Sequence, residues 1–235
     1  SDRLVGSEMC IRDSDNIFFG YGKPATSALS TNFKPTGLYA SMPNYPARGD
    51  IASAKALLDS AGIKPDANGV RIRAILDLIP YGEDWRRAGE YLKQVLGDIG
   101  IKLELRYEDV PTWLKRIYHN YDFVMNVNYF YQLPDPVLGV HRHYGTDQIR
   151  KGTHFVNSSR YSNSELDELL ASGATEANAQ KRTQIYKKIQ EILARDMPVV
   201  NLFELQFLTV YNTKLKGAYN SALGAYASFS EAYLD

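Results

Sequence analysis

Two histidines one residue apart, followed closely by an aspartate, form the clearest metal-binding pattern in the sequence. His141, His143 and Asp147 lie in the segment HRHYGTD. Imidazole nitrogens and carboxylate oxygens bind Zn²⁺ in hydrolases that activate water. A His-x-His pair presents both rings to one side only on a strand, and on a helix the rings diverge. A metal-dependent hydrolase that uses these three residues is therefore the alternative hypothesis, against histidines at the rim of a cleft that hold no metal.

A second group of polar and aromatic side chains follows the apolar run Phe123–Asn128. Tyrosine rings, an amide and a carboxylate together can line the wall of a site for a polar organic solute, and a guanidinium can pair with a ligand carboxylate. The residues that we predict to contact a ligand are Tyr129, Tyr131, Gln132, Asp135 and Arg142. The simpler interpretation is a strand followed by a proline-rich structural loop.

Composition and missing motifs exclude several classes of function. The sequence contains no GxGxxG, GxxxxGK[ST], HExxH or GxSxG pattern, so the common nucleotide, zinc-protease and hydrolase signals are absent and no cofactor is expected. Lys+Arg and Asp+Glu both number 27, which leaves no net charge to attract nucleic acid. No stretch approaches the roughly 18 consecutive apolar residues that a membrane span requires.

Alternating strand and helix patterns predict the elements that position the candidate ligand residues. Val70–Leu78 and Ile101–Leu105 alternate apolar and polar residues as half-buried strands do. Apolar residues at helical spacing occupy Trp85–Ile99, and Pro111 begins a second crossover helix that leads into the strand at Phe123–Asn128. The fold class is therefore α/β with a mainly parallel sheet. Ligands bind at the carboxyl ends of such strands, and the candidate residues follow the third strand.

Further elements are predicted outside this unit. Asp50 is suited to cap a helix that continues to Ala61. The pattern Ser162-x-x-Glu165 predicts a capping box before a leucine-rich helix, and Ala177–Asp196 has the periodicity of a longer helix. Two short strands are expected at Val199–Phe203 and Phe207–Tyr211.

The first 14 residues do not fit the rest of the chain. Leu4–Ser14, LVGSEMCIRDS, resembles the translation of a transposase adapter used for sequencing libraries, since Glu8–Ser14 back-translates as GAG ATG TGT ATA AGA GAC AG. Residues 1–14 are therefore expected to be an adapter-derived or disordered non-native segment that is not part of the fold. Cys10, the single cysteine, lies in this segment, so the remainder has no thiol chemistry. Codons that depart from the adapter would refute this interpretation.

The remaining chain resembles the peptide/nickel-type extracellular solute-binding proteins of ABC importers. The resemblance is carried by the order and spacing of several residues: Asn157, Tyr161, Glu165, Asp167, Arg182, Tyr186, Asp196 and Pro198. Upstream, the segments FFGYGKPATSAL, DIASAKALLDSAG and WRRAGEYLKQVLGDIGIKLEL also resemble parts of that family. The resemblance covers nearly all of Asn16–Asp235.

This resemblance implies a protein with two lobes that captures a solute by hinge closure and delivers it to permease subunits in the inner membrane. Residues 15–204 are expected to form a periplasmic-binding-protein-like lobe, and residues 205–235 a tail that crosses back to a second lobe, most of which is missing. The resemblance further implies a monomer in the periplasm that is not an enzyme. We expect that a signal peptide was lost with the missing N-terminal part.

The same resemblance bears on the class of solute. Peptide-binding members carry an aspartate, before the Asp-Pro turn, that pairs with the α-ammonium of the peptide, and Gln132 stands at that place here. An amide supplies no charge for a buried ammonium. The departure puts free peptides in doubt and leaves opine-like conjugates, modified peptides and sugars open. A chaperone-like module that holds extended chains is a third hypothesis.

Overall fold

Helices and strands alternate through most of the chain. The computed structural model describes residues 21–42, 50–205, 209–218 and 228–235. In chain order, its strands and α-helices are β1 (Gly22–Pro24), α1 (Ile51–Ser60), β2 (Ile72–Leu78), α2 (Glu83–Gly97), β3 (Ile101–Arg106), α3 (Val110–Leu114), β4 (Met125–Val127), α4 (Val140–Tyr144), α5 (Ser164–Thr175), α6 (Ala179–Asp196), β5 (Phe203–Leu205), β6 (Leu215–Lys216) and β7 (Tyr233–Leu234). The α/β fold class is confirmed.

The parallel sheet has three strands in the order β3-β2-β4. The register pairs Ile72 with Ile101 and Leu78 with Val127. Helix α2 connects β2 to β3, and α3 followed by the π-helical turn Lys115–Asn120 connects β3 to β4. The strand predicted at Phe123–Asn128 is shorter than expected, and it lies beside β2 rather than beside β3.

Helix α2 packs directly on the central strand. Its first turn carries Glu83 and Asp84, whose negative charges interact favourably with the positive end of the helix dipole. A Cβ atom added to Gly89 would lie 2.4 Å from Cδ1 of Leu78, so the glycine permits close approach of helix and strand. Leu78 is 2% exposed as a result. This contact places the middle of α2 against the last residue of β2.

A hydrophobic core lies between α4, α5, α6 and the N-terminal segment, by which we mean residues 21–42. Its buried residues are Ala28, Leu29, Phe33, Leu38, Val140, Tyr144, Leu166, Leu170, Tyr186, Ile189, Ile192 and Leu193. Gln190 is fully buried within this region, where its Nε2 donates to the Leu38 oxygen at 2.8 Å and its Oε1 accepts from Ser27 Oγ at 2.7 Å. Because the buried amide is satisfied, it links α6 to the N-terminal segment without a desolvation penalty.

Three predictions of local structure need correction. The N-cap of α5 is Asn163, whose Oδ1 accepts from Leu166 N at 3.1 Å, so the capping box beginning at Ser162 is wrong by one residue. The first strand after α6 is Phe203–Leu205 and not Val199–Phe203. Of the strand predicted at Phe207–Tyr211, the first two residues lie outside the described residues, and residues 209–211 are not in a strand.

The chain divides into two compact units, Ser1–Glu204 and Leu205–Asp235. In the second unit, β6 and β7 pair in antiparallel orientation. The adapter-like segment Leu4–Ser14 lies outside the described residues, and the crossing of residues 205–235 to another lobe stays a prediction. In the part of the chain that the structure describes, no helix combines the length and apolar character that a membrane crossing requires.

Candidate functional site

Two tyrosines meet where adjacent strands end. The register places the last residue of β2, Leu78, opposite the last residue of β4, Val127. Tyr81 follows β2 and Tyr129 follows β4, so the pairing of the strands brings both tyrosines to the same edge. Their ring centroids lie 5.8 Å apart with an interplanar angle of 63°. The carboxyl edge of an open parallel sheet is where α/β proteins bind ligands.

Two further rings complete a cluster that we call the aromatic corner (Tyr81, Trp85, Tyr129 and Tyr131). Trp85, in the first turn of α2, stacks on Tyr129 with centroids 5.4 Å apart and planes at 18°. Tyr131 meets Tyr129 edge to face at 5.5 Å. Trp85 is buried, whereas Tyr81 and Tyr131 are 40% and 47% exposed. The corner therefore combines a buried tryptophan stacked on Tyr129 with two accessible tyrosine rings.

Tyr81 and Trp85 were not assigned to the site from the sequence. The signal was present, because Tyr81 follows the carboxyl end of a predicted parallel strand as Tyr129 does. Burial, and to a lesser degree the neighbouring Tyr129, raises the pKa of Tyr81 above its ordinary value of 10.0. The Tyr81 hydroxyl is protonated at neutral pH, as a tyrosine with an ordinary pKa also is, and it can donate a hydrogen bond to a solute.

Gln132 links the turn that follows Tyr131 (residues 132–135) to the N-terminal segment by hydrogen bonds. Its Nε2 donates to the Ala28 oxygen at 2.7 Å, and its Oε1 accepts from Ser30 N at 2.7 Å. The sequence alone gave no sign of these contacts, since Gln132 lies more than 100 positions away from both partners. A glutamine amide has two donor hydrogens and two lone pairs, so each atom keeps capacity for one more bond. Contact of Gln132 with a solute stays a prediction.

The carboxylate of Asp135 is compensated within the protein. Nη2 of Arg182 lies 2.8 Å from each of its oxygens, and Oδ1 also accepts from Val137 N at 2.9 Å. Arg182 in turn donates from Nε to the Gly173 oxygen at 2.9 Å, and its guanidinium lies 5.3 Å from the centroid of Tyr186. The ion pair joins the turn to α5 and α6. That Asp135 contacts a ligand stays a prediction. Its ion pair with Arg182 competes with such a contact.

Arg142 lies on α4 and is exposed. Its Nη2 donates to the backbone oxygen of His154 at 3.0 Å. Of the five predicted ligand residues, Tyr129 and Tyr131 thus meet in one cluster. Gln132, Asp135 and Arg142 are each bound to another part of the protein, and the role of Arg142 toward a solute stays a prediction.

The His-x-His pattern falls on α4, where the two rings take different environments. His141 Nε2 lies 3.2 Å from Asp147 Oδ1, whereas His143 is 7% exposed and its ring centroid lies 3.8 Å from that of Phe130. Burial, reinforced by the charge of Arg142, lowers the pKa of His143 to about 3. Among the residues that the structure describes, no group of three His, Cys, Asp or Glu side chains could hold a metal ion. The geometry therefore gives no support to the hydrolase alternative.

The fold and the aromatic corner together define an α/β lobe with the layout of a ligand-binding protein. A family model described as "Bacterial extracellular solute-binding proteins, family 5 Middle" matches residues 14–150, more than half of the 235-residue chain. The chain belongs to this family of bacterial extracellular solute-binding proteins. The resemblance stated from the sequence is thereby confirmed.

Known relatives cover most of this chain but are much longer. The peptide transport periplasmic protein SapA of Haemophilus influenzae is 24% identical over 151 residues, which are 63% of this chain and 26% of SapA. The crystal structure of the dipeptide binding protein of Pseudoalteromonas sp. SM9913 in complex with Met-Leu matches with a TM-score of 0.78 at 19% identity, covering 96% of this chain and 43% of that one. NikZ from Campylobacter jejuni in complex with Ni(L-His) matches with a TM-score of 0.73 at 18% identity, covering 88% and 42%. These structural matches show the fold, and the chain spans less than half of each of these proteins.

Proposed function

We propose that this chain supplies the ligand-contacting lobe of an extracytoplasmic solute-binding component of an ABC importer. The component captures a short peptide, or a peptide-like or opine-like solute, by hinge closure and delivers it to the permease. Membership in the family of extracellular solute-binding proteins supports the binding role, and the name of SapA supports peptide transport in the periplasm. We propose the periplasm as the location, permease subunits as partners, and a monomer that carries out no catalysis.

The aromatic corner is the observation that carries this proposal. Its exposed rings, those of Tyr81 and Tyr131, stand at the carboxyl edge of the parallel sheet. Tyrosine faces bury apolar side chains of a solute, and their hydroxyl groups bond to its polar atoms. Such a surface suits an amphipathic molecule of the size of a short peptide.

The charges beside the corner favour a solute without a free α-ammonium group. The segment 129–135 contains one acidic residue, Asp135, and both of its carboxylate oxygens are bound by Arg182. Gln132 is neutral. A buried ammonium requires an anionic partner, and this stretch offers no uncompensated one. Within the proposed class, N-acylated peptides, whose terminal nitrogen carries no charge, are therefore preferred over free peptides.

A calorimetric panel on the full-length protein tests this preference. The probes are a dipeptide, its N-acetyl derivative, an opine, an oligosaccharide and an unfolded polypeptide. We expect the N-acetyl dipeptide to bind more tightly than the free dipeptide, and the Gln132→Asp variant to shift the preference toward the free dipeptide. Tighter binding of the free dipeptide by the unaltered protein would refute the charge argument. Binding of only the unfolded polypeptide would instead support the chaperone-like hypothesis.

A further inference from the structure

Two histidines outside the aromatic corner face each other through the same ring atom. Nε2 of His119 lies 3.3 Å from Nε2 of His154, and the ring centroids are 5.5 Å apart. His119 is exposed and His154 is half-buried, so ions in solution can reach the pair. Two neutral imidazoles hold this arrangement when one donates its Nε2 hydrogen to the other.

The separation matches that of two nitrogens bound to one metal ion. Zn²⁺ binds imidazole nitrogen at about 2.0–2.1 Å, and two such nitrogens at a tetrahedral angle lie about 3.3–3.4 Å apart. The observed separation of 3.3 Å between His119 and His154 falls in this range. We propose that His119 and His154 form a site for a divalent transition metal ion such as Zn²⁺ or Ni²⁺. On binding, the donor ring moves its proton from Nε2 to Nδ1, which leaves both Nε2 lone pairs to the metal.

The surrounding backbone holds both rings in place. Gly152 N donates to the Tyr118 oxygen at 2.8 Å, which ties the segment before His154 to the one before His119. Gly152 adopts a φ of 86°, and an added Cβ would lie 3.3 Å from Cε1 of His119, so the ring rests against the glycine. On the other side, the ring of the buried Tyr118 lies 5.9 Å from that of His154. A pair that is preorganised in this way loses little side-chain entropy when a metal binds.

The environment of the pair leaves the metal with two protein ligands. In the described ranges, no third His, Cys, Asp or Glu joins His119 and His154 in a cluster, so water fills the remaining positions. The guanidinium of Arg142 is held on the backbone oxygen of His154 and not on its ring. Imidazole pairs suit Zn²⁺, Ni²⁺ and Cu²⁺, and a site with open positions stays accessible to further ligands from solution. The pair shares no residue with the aromatic corner.

Titration of the untagged chain with ZnCl₂ tests this proposal by NMR. The chain contains four histidines, so their ring signals can be followed individually. We expect the signals of His119 and His154 to shift together, to saturate at one Zn²⁺ per chain and to report Nδ1 protonation of both rings. His141, which is beside Asp147, and the buried His143 serve as internal controls, and their signals should not move in parallel.

Calorimetry with ZnCl₂ and NiCl₂ on three variants completes the test. His119→Ala and His154→Ala should each weaken binding by at least about tenfold, since even the loss of an outer-shell partner weakens metal sites by about 10–100-fold. The matched variant His141→Ala should bind as the unaltered chain does. Shifts of His141 equal to those of the pair, or unchanged affinity in His119→Ala, would overturn the proposal. The NMR titration of the unaltered chain decides the question even where a variant fails to fold.

Discussion

Two members of the aromatic corner, Tyr129 and Tyr131, belong to one stretch of chain with the turn that follows them, yet the side chains of the two parts have contrasting contacts. Tyr131 in the corner is 47% exposed, whereas the polar atoms of Gln132 and Asp135 are directed at the N-terminal segment and at α6. Gln132 and Asp135 are partly buried and their polar groups are bound within the protein, whereas much of Tyr131 is exposed to solvent. The corner therefore offers surface to a solute, and the turn holds that surface in position.

This division predicts different consequences for substitutions only a few residues apart. A change in the turn should lower the free energy of unfolding, because it removes bonds that link distant segments. A change in the exposed part of the corner should lower solute affinity and reduce stability less than a change in the turn does. Three predictions test the contrast, in order of decreasing effect on stability.

Arg182→Ala should have the largest effect. The substitution removes both bonds to Asp135, the bond to the Gly173 oxygen and the contact with Tyr186. Because the guanidinium is largely buried, we expect the free energy of unfolding to fall by about 2–3 kcal/mol, measured by urea denaturation. Lys181→Ala, at the neighbouring exposed position of α6, is the matched control. Equal stability of the two variants would contradict the structural role of the turn.

His143 should produce a smaller effect that depends on pH. Phe130, between Tyr129 and Tyr131 in the chain, packs against this buried ring. The pKa of His143 falls from 6.5 to about 3 in the folded protein, so the unfolded chain binds more protons between these values. The neutral His143 ring therefore contributes fully to the free energy of unfolding above pH 6.5. Below pH 6.5 the free energy of unfolding declines by about 1.4 kcal/mol or less for each pH unit.

Urea denaturation from pH 7 to pH 5 measures this decline. In His143→Gln, the part of the slope that arises from His143 should disappear, whatever the stability of the variant at pH 7. His141→Gln, whose ring is partly exposed beside Asp147, is the control and should keep the slope. A slope that survives in His143→Gln would show that the ring is not buried in its neutral form.

Tyr131→Ala should have the smallest effect on stability and a clear effect on binding. Tyr131 is 47% exposed and its ring meets Tyr129 edge to face, so we expect the free energy of unfolding to fall by about 1 kcal/mol. Loss of a ring that contacts the solute should weaken binding by about tenfold, corresponding to about 1.4 kcal/mol. Tyr121→Ala, which removes a tyrosine before β4 that contacts Arg160, should leave affinity unchanged. Unaltered affinity in Tyr131→Ala would remove the corner from the proposed site.

The reliability of the sequence-based predictions depended on how local their causes were. The helix after Asp50 and the βαβ unit from β2 to β3 were predicted nearly to the residue, since caps and apolar periodicity act within a few positions. The capping box at Ser162 was wrong because the neighbouring Asn163 can cap equally well, and local pattern does not choose between them. The strand after α6 was misplaced because its partner is β1, far away in the chain.

The α/β class, the family and the location of Tyr129 and Tyr131 after a parallel strand could be inferred from residue type and spacing along the chain. The packing of the elements was needed to show that Tyr81 and Trp85 join these tyrosines, that Arg182 compensates Asp135, and that His119 faces His154. Each of these contacts joins residues distant in the chain, and their proximity depends on how strands and helices pack, which periodicity within one element does not specify.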